Sequence, residues 1–289
     1  MLANVLILGG DLRQIRVGEE FFSDSYNVSF CGFDREFINS EFELYDNLFD
    51  ALNENDIIIM GLPVSKDAVK LNTPLYKGEI LLDDIVKCAK CQTVFLGGIP
   101  DEIFIKKLKR KTENVFDYYS REELIIKNII PTVEGAISIA IEETPFTLYG
   151  SNVLVTGFGR ISKLLARYLD ALGANVTVSA RKLHDLAWIE TLSYKNIRTS
   201  EICKTIGEYD IIFNTVPATV IDKNCIDNVK PDVLIIDLAS KPGGVDFNYA
   251  REKGIKTIWA LSLPGKVAPL SAGKIIKETI KNILDELGG

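Results

Sequence analysis

The chain reads as two doubly wound α/β domains with parallel sheets, and two observations carry that expectation. Short, fully apolar, β-branched runs recur, each followed by a turn and a stretch of helical periodicity. Central strands of a parallel sheet look this way, because helices cover both faces and no strand side chain needs to be polar. The two halves also resemble each other. "DIIIMGLPVS" and "DIIFNTVPAT" each run a strand from an aspartate into a turn with proline at the same offset, and each half opens with a strand that runs into glycines. A length of 289 residues suits two domains of ordinary size. The expected layout is a flavodoxin-like or Rossmann-like domain over residues 1–128, a Rossmann domain over 129–268, and a C-terminal helix over 269–289.

In the first half, strands are expected within Asn4–Gly10, Asn27–Phe33, Asp56–Pro63 and Thr93–Pro100, with a fifth over Asn114–Tyr119. In the second half they fall within Asn152–Gly159, Asn175–Ala180, Asp210–Pro217, Asp232–Ala239 and Lys256–Pro264. Between the halves, "IIPTVEGAISIAIEETPF" predicts a bridging helix that starts near Pro131 with Thr132 as its cap. Val133, Ala136, Ile137, Ala140 and Ile141 then share one face, and Thr144-Pro145 stops the helix. In the final stretch Ile275, Ile276, Ile280, Ile283, Leu284 and Leu287 share a helical face, which suits a helix crossing back onto the first domain. This layout predicts one cleft between the domains, faced by the carboxyl ends of both sheets.

Composition removes several function classes. A net charge of −7 and a pI near 5.0 argue against nucleic acid or an anionic membrane as partner, since both require basic patches. Apolar runs such as "VLILGG" and "DIIIMGL" are too short to span a bilayer, and the start lacks a basic n-region, so a cytoplasmic chain without a signal peptide is expected. Five cysteines are an odd and sparse set for a disulfide framework, and a reduced chain is expected. Cys88-Ala-Lys-Cys91 has the spacing of half a zinc site. No second such pair and a single histidine exist, so these read as two thiols at a helix end.

"VLVTGFGRISKLLARYLDALGANVTVSARK", Val153–Lys182, carries the clearest chemistry. Gly157-Phe158-Gly159 follows a strand and precedes a helical pattern that ends at Gly173, after which a second strand begins; this is the context of a dinucleotide clamp. Gly157 permits the tight turn, and Gly159 lets the backbone approach a pyrophosphate. The amides of Arg160 and Ile161 open the helix with its positive dipole end. Ser162 stands where a third glycine is usual. No carboxylate ends the second strand to bind a ribose 2′-hydroxyl. Ser179 is followed there by Arg181 and Lys182, which can bind a 2′-phosphate, so NADP(H) is expected over NAD(H). Asn214, Thr215 and Ala239 end strands beside the expected nicotinamide, where they either contact it or close those strands. Gly9-Gly10-Asp11 lacks the spaced pattern, and Asp11 would sit against phosphates. The first domain is therefore expected to handle substrate, with Arg13 as a carboxylate fork or a surface arginine.

"GGDLRQ" (Gly9–Gln14), "PTVEGAI" (Pro131–Ile137), "GFGR" (Gly157–Arg160), "DLASKPGGVDF" (Asp237–Phe247) and "LPGKVAP" (Leu263–Pro269) occur in this order and spacing. Over nearly its whole length the chain resembles the family of the dipicolinate synthase A subunit. More widely, it is similar to the formate/glycerate and alanine dehydrogenase-like group. The resemblance implies NADP-linked oxidation of dihydrodipicolinate to dipicolinate in the mother cell of a sporulating bacterium, with a flavoprotein-like B subunit that can hold FMN. Removing a hydride and a proton from a dihydropyridine is driven by aromatisation, so the protein must mainly hold two carboxylates and align the hydride. Arg13, Lys241 and Lys266, the last from a loop after a late strand, are the cations expected to do so. Glu134, on the first turn of the bridging helix, either takes the proton or caps the helix. His184 lies past the second strand and is expected to be a solvated surface residue. A homo-oligomer is also expected. The rival readings are an amino-acid dehydrogenase of the alanine dehydrogenase type, which lacks its expected first-domain histidine here, and a non-catalytic, regulatory NADP-binding protein.

Overall fold

The computed structural model describes residues 3–288 and divides into two compact units, residues 1–128 with 264–289, and residues 129–263. The chain therefore rejoins the first unit at Pro264, five residues before the expected boundary, and Lys266 belongs to that unit rather than to the second.

The first unit runs β1 (Asn4–Leu8), α1 (Leu12–Ser23), β2 (Asn27–Cys31), β3 (Glu43–Tyr45), α2 (Leu48–Glu54) and β4 (Ile57–Met60). It continues with α3 (Leu82–Cys88), β5 (Val94–Gly97), α4 (Glu102–Leu108), β6 (Val115–Asp117) and α5 (Glu122–Lys127). The sheet order is β3-β2-β1-β4-β5-β6, all parallel. Alternation along β1 explains its apolar run: Val5 and Ile7 enter one core and Leu6 and Leu8 the other, all fully buried.

The second unit opens with α6 (Ile129–Glu143), then β7 (Asn152–Thr156), α7 (Arg160–Ala171), β8 (Asn175–Ala180), α8 (Leu183–Thr191), β9 (Lys195–Arg198) and α9 (Ile202–Thr205). β10 (Ile211–Asn214), α10 (Lys223–Ile226), β11 (Leu234–Asp237), α11 (Phe247–Glu252) and β12 (Lys256–Trp259) complete it, and α12 (Leu263–Val267) leads into α13 (Pro269–Gly288). The order β12-β11-β10-β7-β8-β9 repeats the order of the first sheet, strand for strand. Both units thus have a Rossmann-type sheet that reverses direction beside its first strand, β1 or β7, which is where such sheets bind ligands.

β3 and β9 were not expected. Each is a short edge strand with exposed or half-buried residues, so neither shows the apolar run that marks a central strand. α6 starts at Ile129 rather than near Pro131. Proline is accommodated as its third residue because first-turn amides have no intrahelical acceptor. Residues 122–143, spanning α5 and α6, are long and apolar enough to cross a membrane, but Val133, Ala136 and Ala140 are fully buried in the second unit's core. α13 packs along α1, burying Ile276, Ile280 and Ile283 beside Val17 and Phe21. Gly273 permits the approach, since a Cβ there would meet the Arg13 carbonyl at 2.7 Å. The expectation of a fully reduced chain is overturned: Cys203 and Cys225 form a disulfide, while Cys31, Cys88 and Cys91 are free. Their pairing, 22 residues apart, brings α9 against α10 and is not readable from spacing.

Candidate functional site

The glycine turn between β7 and α7 has the backbone its sequence requires. Gly157 has φ +85°, and a Cβ there would lie 2.8 Å from Val216 Cγ2 and 3.0 Å from Thr215 Oγ1, so no other residue fits. A Cβ on Gly159 would meet nothing within 4 Å, so this backbone faces open space. Gly159 is the N-cap of α7, and no side chain caps the helix there. A twelve-residue helix thus presents its positive end at the sheet's switch point, as a pyrophosphate site requires. The corresponding turn of the first unit is built against such a ligand. Asp11 caps α1, accepting from the Arg13 amide at 3.0 Å, and its own amide donates to Gln14 Oε1 at 3.1 Å. A carboxylate already fills that anion position.

Ser162 does more than occupy a small space. It is fully buried, and its hydroxyl pairs with Thr215 Oγ1 at 2.7 Å, which in turn donates to the Thr156 carbonyl at 2.8 Å. Ser179 is also fully buried, and its hydroxyl accepts from the Gly157 amide at 3.3 Å, so it braces the turn instead of reaching a ribose. Asn214 is fully buried as well. It accepts from Thr156 Oγ1 at 2.5 Å and the Val216 amide at 3.1 Å, and donates to Asp237 Oδ1 and the Val216 carbonyl. Ala239 donates its amide to Asp237 Oδ1 and accepts from Trp259 Nε1. The polar groups of Asn214 and Ala239 are thus engaged within the protein.

Arg181 and Lys182 are both exposed, directly after β8, with Lys182 as the N-cap of α8. No carboxylate stands between Ser179 and Lys182, and the position is open to a charged ligand group. His184 is exposed beside Asp185, 3.3 Å away. Lys241 is exposed on the turn after β11, where the buried Gly243 and Gly244 follow it.

Arg13 is buried rather than at the surface, and part of its fork is taken within the protein. Its Nε and Nη2 bind Asp11 at 2.9 and 2.8 Å, and Nη2 also donates to the Leu62 carbonyl at 2.5 Å. One edge of the fork is therefore occupied, and only Nη1 is left to offer to a ligand. Burial works against the Arg13 charge, but the hydrogen bonds and charge of Asp11 more than offset it, and its pKa is raised. Gly265 lets the α12 backbone lie against this guanidinium, a Cβ there meeting Arg13 Nε at 3.0 Å, and the exposed Lys266 is the next residue. Tyr118, fully buried, donates to the Met60 carbonyl at 2.9 Å beneath this group.

Glu134 fits neither expected role. It is the sixth residue of α6, too late to cap, and lines an apolar groove with Tyr168, Ala171 and Leu172 at the far end of α7. At 1.5 Å of rise per residue, that places it roughly 12–18 Å along the helix from the nucleotide turn. Sequence reading weighed Asp11 only as an obstacle to phosphate and missed Thr156 and Asp237. The signal was there for these two, since each follows three apolar strand residues with one polar residue, as Asn214 does.

The second unit therefore fits a nicotinamide dinucleotide: an uncapped helix start, an open glycine backbone and two exposed cations at the end of the second strand. Comparison with known proteins agrees. A family model for the N-terminal domain of the dipicolinate synthase A subunit matches residues 4–119, and one described as "D-isomer specific 2-hydroxyacid dehydrogenase, NAD binding domain" matches residues 135–242. The dipicolinate synthase A subunit of Bacillus subtilis is 33% identical over 288 residues, covering 98% of this chain and 96% of that protein. Its crystal structure superposes with a TM-score of 0.86 at 32% identity, covering 100% of this chain and 97% of the other. The crystal structure of the A subunit from Bacillus halodurans gives 0.87 at 33% identity, covering 98% and 97%. The chain belongs to the dipicolinate synthase A-subunit family and is an oxidoreductase of the dehydrogenase type, with its nicotinamide-binding domain in the second unit.

Proposed function

We propose that this chain oxidises dihydrodipicolinate to dipicolinate with NADP⁺, acting with a flavoprotein-like B subunit in the mother-cell cytoplasm of a sporulating bacterium. The observation that carries this reading is the end-to-end match, at 33% identity, to a protein named for that synthase. Bound NADP⁺ supplies the hydride acceptor. If a flavin such as FMN takes part, the partner protein holds it. The same reading includes a homo-oligomer.

The substrate loses a hydride and a proton, and the aromatic product is the driving force, so holding and aligning the dicarboxylate is the protein's main task. Lys241 offers an exposed ammonium on the turn after β11, the carboxyl end of its sheet. Arg13 through Nη1 and Lys266 are the remaining cations assigned to the carboxylates. Gly157 and Gly159 receive the pyrophosphate with the first amides of α7, at Arg160 and Ile161. Arg181 and Lys182 receive the 2′-phosphate, which a carboxylate at that position would repel.

Calorimetric titration of pyridine-2,6-dicarboxylate, with pyridine-2-carboxylate as control, tests the substrate class. The dicarboxylate is expected to bind to the NADP⁺-saturated chain at least tenfold more tightly than the monocarboxylate, and Lys241→Met to remove that difference. Equal binding of the two acids refutes the assignment.

A further inference from the structure

Three adjacent strands of the second unit end in polar residues that are in register and completely buried. Asn214 pairs with Thr156 on one side and with Asp237 on the other. Their side chains form one line: Thr156 Oγ1 donates to Asn214 Oδ1 at 2.5 Å, and Asn214 Nδ2 donates to Asp237 Oδ1 at 2.7 Å. The far carboxylate oxygen, Oδ2, accepts from the Gly244 amide at 2.7 Å. At the near end, the Thr156 carbonyl holds Thr215 Oγ1, which holds Ser162 in the first turn of α7. The line therefore runs from the nucleotide turn to the Lys241–Gly244 turn.

Packing leaves little slack along it. Val216 lies against both turns: a Cβ at Gly157 would meet its Cγ2 at 2.8 Å, and a Cβ at Gly244 would meet its carbonyl at 2.4 Å. The Gly244 Cβ would also meet Asn214 Nδ2 at 2.3 Å, and one on Gly243 would meet Asp237 Oδ2 at 3.0 Å. The Gly244 carbonyl accepts from Val220 and Ile221, both at 3.0 Å, which ties the turn to the same β10–α10 segment. A close-packed polar line whose buried groups satisfy one another transmits displacement, because a shift at one link strains the bonds of the next.

We propose that Asp237 is a positioning residue that couples the two turns, so that nucleotide bound at Gly157–Ile161 fixes the geometry of the Lys241 turn and raises its affinity for the dicarboxylate. The dicarboxylate part rests on the function proposed above; the coupling of the turns rests on nucleotide binding alone.

The test is hydrogen exchange of the peptide covering residues 239–247, with and without saturating NADP⁺, in the wild type and in Asp237→Asn. An amide at 237 sets a donor against Gly244 N–H, or against Asn214 and Ala239, and so cuts the line without changing shape. NADP⁺ is expected to slow exchange of this peptide at least fivefold in the wild type and less than twofold in the variant, while the variant's NADP⁺ affinity stays within threefold. In parallel, NADP⁺ is expected to tighten pyridine-2,6-dicarboxylate binding at least fivefold in the wild type and not in the variant. Equal slowing in both proteins, or none in the wild type, overturns the coupling. Coupled exchange with no dicarboxylate binding at all sustains the coupling and removes the substrate reading. If Asp237→Asn does not fold, Thr156→Val cuts the same line at its other end and is read by the same two measurements.

Discussion

Ser162→Gly restores the glycine that dinucleotide clamps usually carry, and a motif-based argument expects it to improve nucleotide binding. The structure gives the opposite expectation. Ser162 points away from the open backbone at Gly159 and into the protein, where its hydroxyl meets Thr215. Removing that bond costs about 1 kcal/mol. The figure stays at the low end because Thr215 Oγ1 keeps the Thr156 carbonyl and is not orphaned. Glycine in place of serine near the start of a helix costs about 0.5 kcal/mol more. The sum, about 1.5 kcal/mol, corresponds to a drop of roughly 3–6 °C in the melting temperature of a unit this size. Calorimetry should show that drop, and NADPH titration should show affinity within threefold of wild type. Ser162→Ala, which loses the bond but gains helix propensity, should fall only about 0.5 kcal/mol. Tighter NADPH binding by the glycine variant, or an unchanged melting temperature, refutes the role assigned to Ser162.

Other expectations follow from single contacts. Arg181→Ala should weaken NADPH binding about tenfold or more, the worth of a charge-assisted pair with phosphate, and leave NADH within threefold; an unchanged ratio in fluorescence titration contradicts the 2′-phosphate assignment. Burial raises the Asp210 carboxyl, but bonds from Lys230 Nζ at 2.6 Å and the Asn152 amide at 2.7 Å pull it lower still, to a net pKa below the ordinary value. A lowered carboxylate contributes stability above its unfolded pKa and loses it as pH falls through the folded one. Lys230→Met should therefore cost about 1 kcal/mol at pH 7, and the gap should close below about pH 4 in acid titrations. Native protein at pH 8 without reductant should take two alkyl groups, on Cys88 and Cys91, by mass spectrometry. Cys31 is buried, its thiol pushed up to about 12, and Cys203 and Cys225 are paired. Three or more labels contradict the pairing or the burial.

Legibility in the sequence followed burial. Strands covered on both faces, such as "NVLIL" and "LIID", announce themselves because their buried stretches, Val5–Leu8 and Leu234–Ile236, are wholly apolar. The edge strands β3 and β9 do not, since half their surface meets water and any residue serves. The glycine turn was readable because φ above zero and close approach at Gly157 restrict the residue to one type. Arg13 stands out in the sequence but its role does not, because its partner Asp11 is two residues away and a side chain folding back onto its own N-cap leaves no periodic signal. Placing Glu134 in a first turn assumes that a proline opens the helix, whereas α6 begins two residues earlier. The line from Thr156 to Asp237 needed strand register, which no single run contains.

The central claim is that this chain binds both NADP⁺ and the dihydropyridine dicarboxylate and passes hydride between them. Purified chain should be mixed with NADP⁺ and freshly generated dihydrodipicolinate, with and without the flavoprotein partner, and dipicolinate and NADPH followed together. The expected result is equimolar formation of the two in the mixture that contains the partner. Dipicolinate formed without NADPH would contradict it and move the hydride acceptor off this chain.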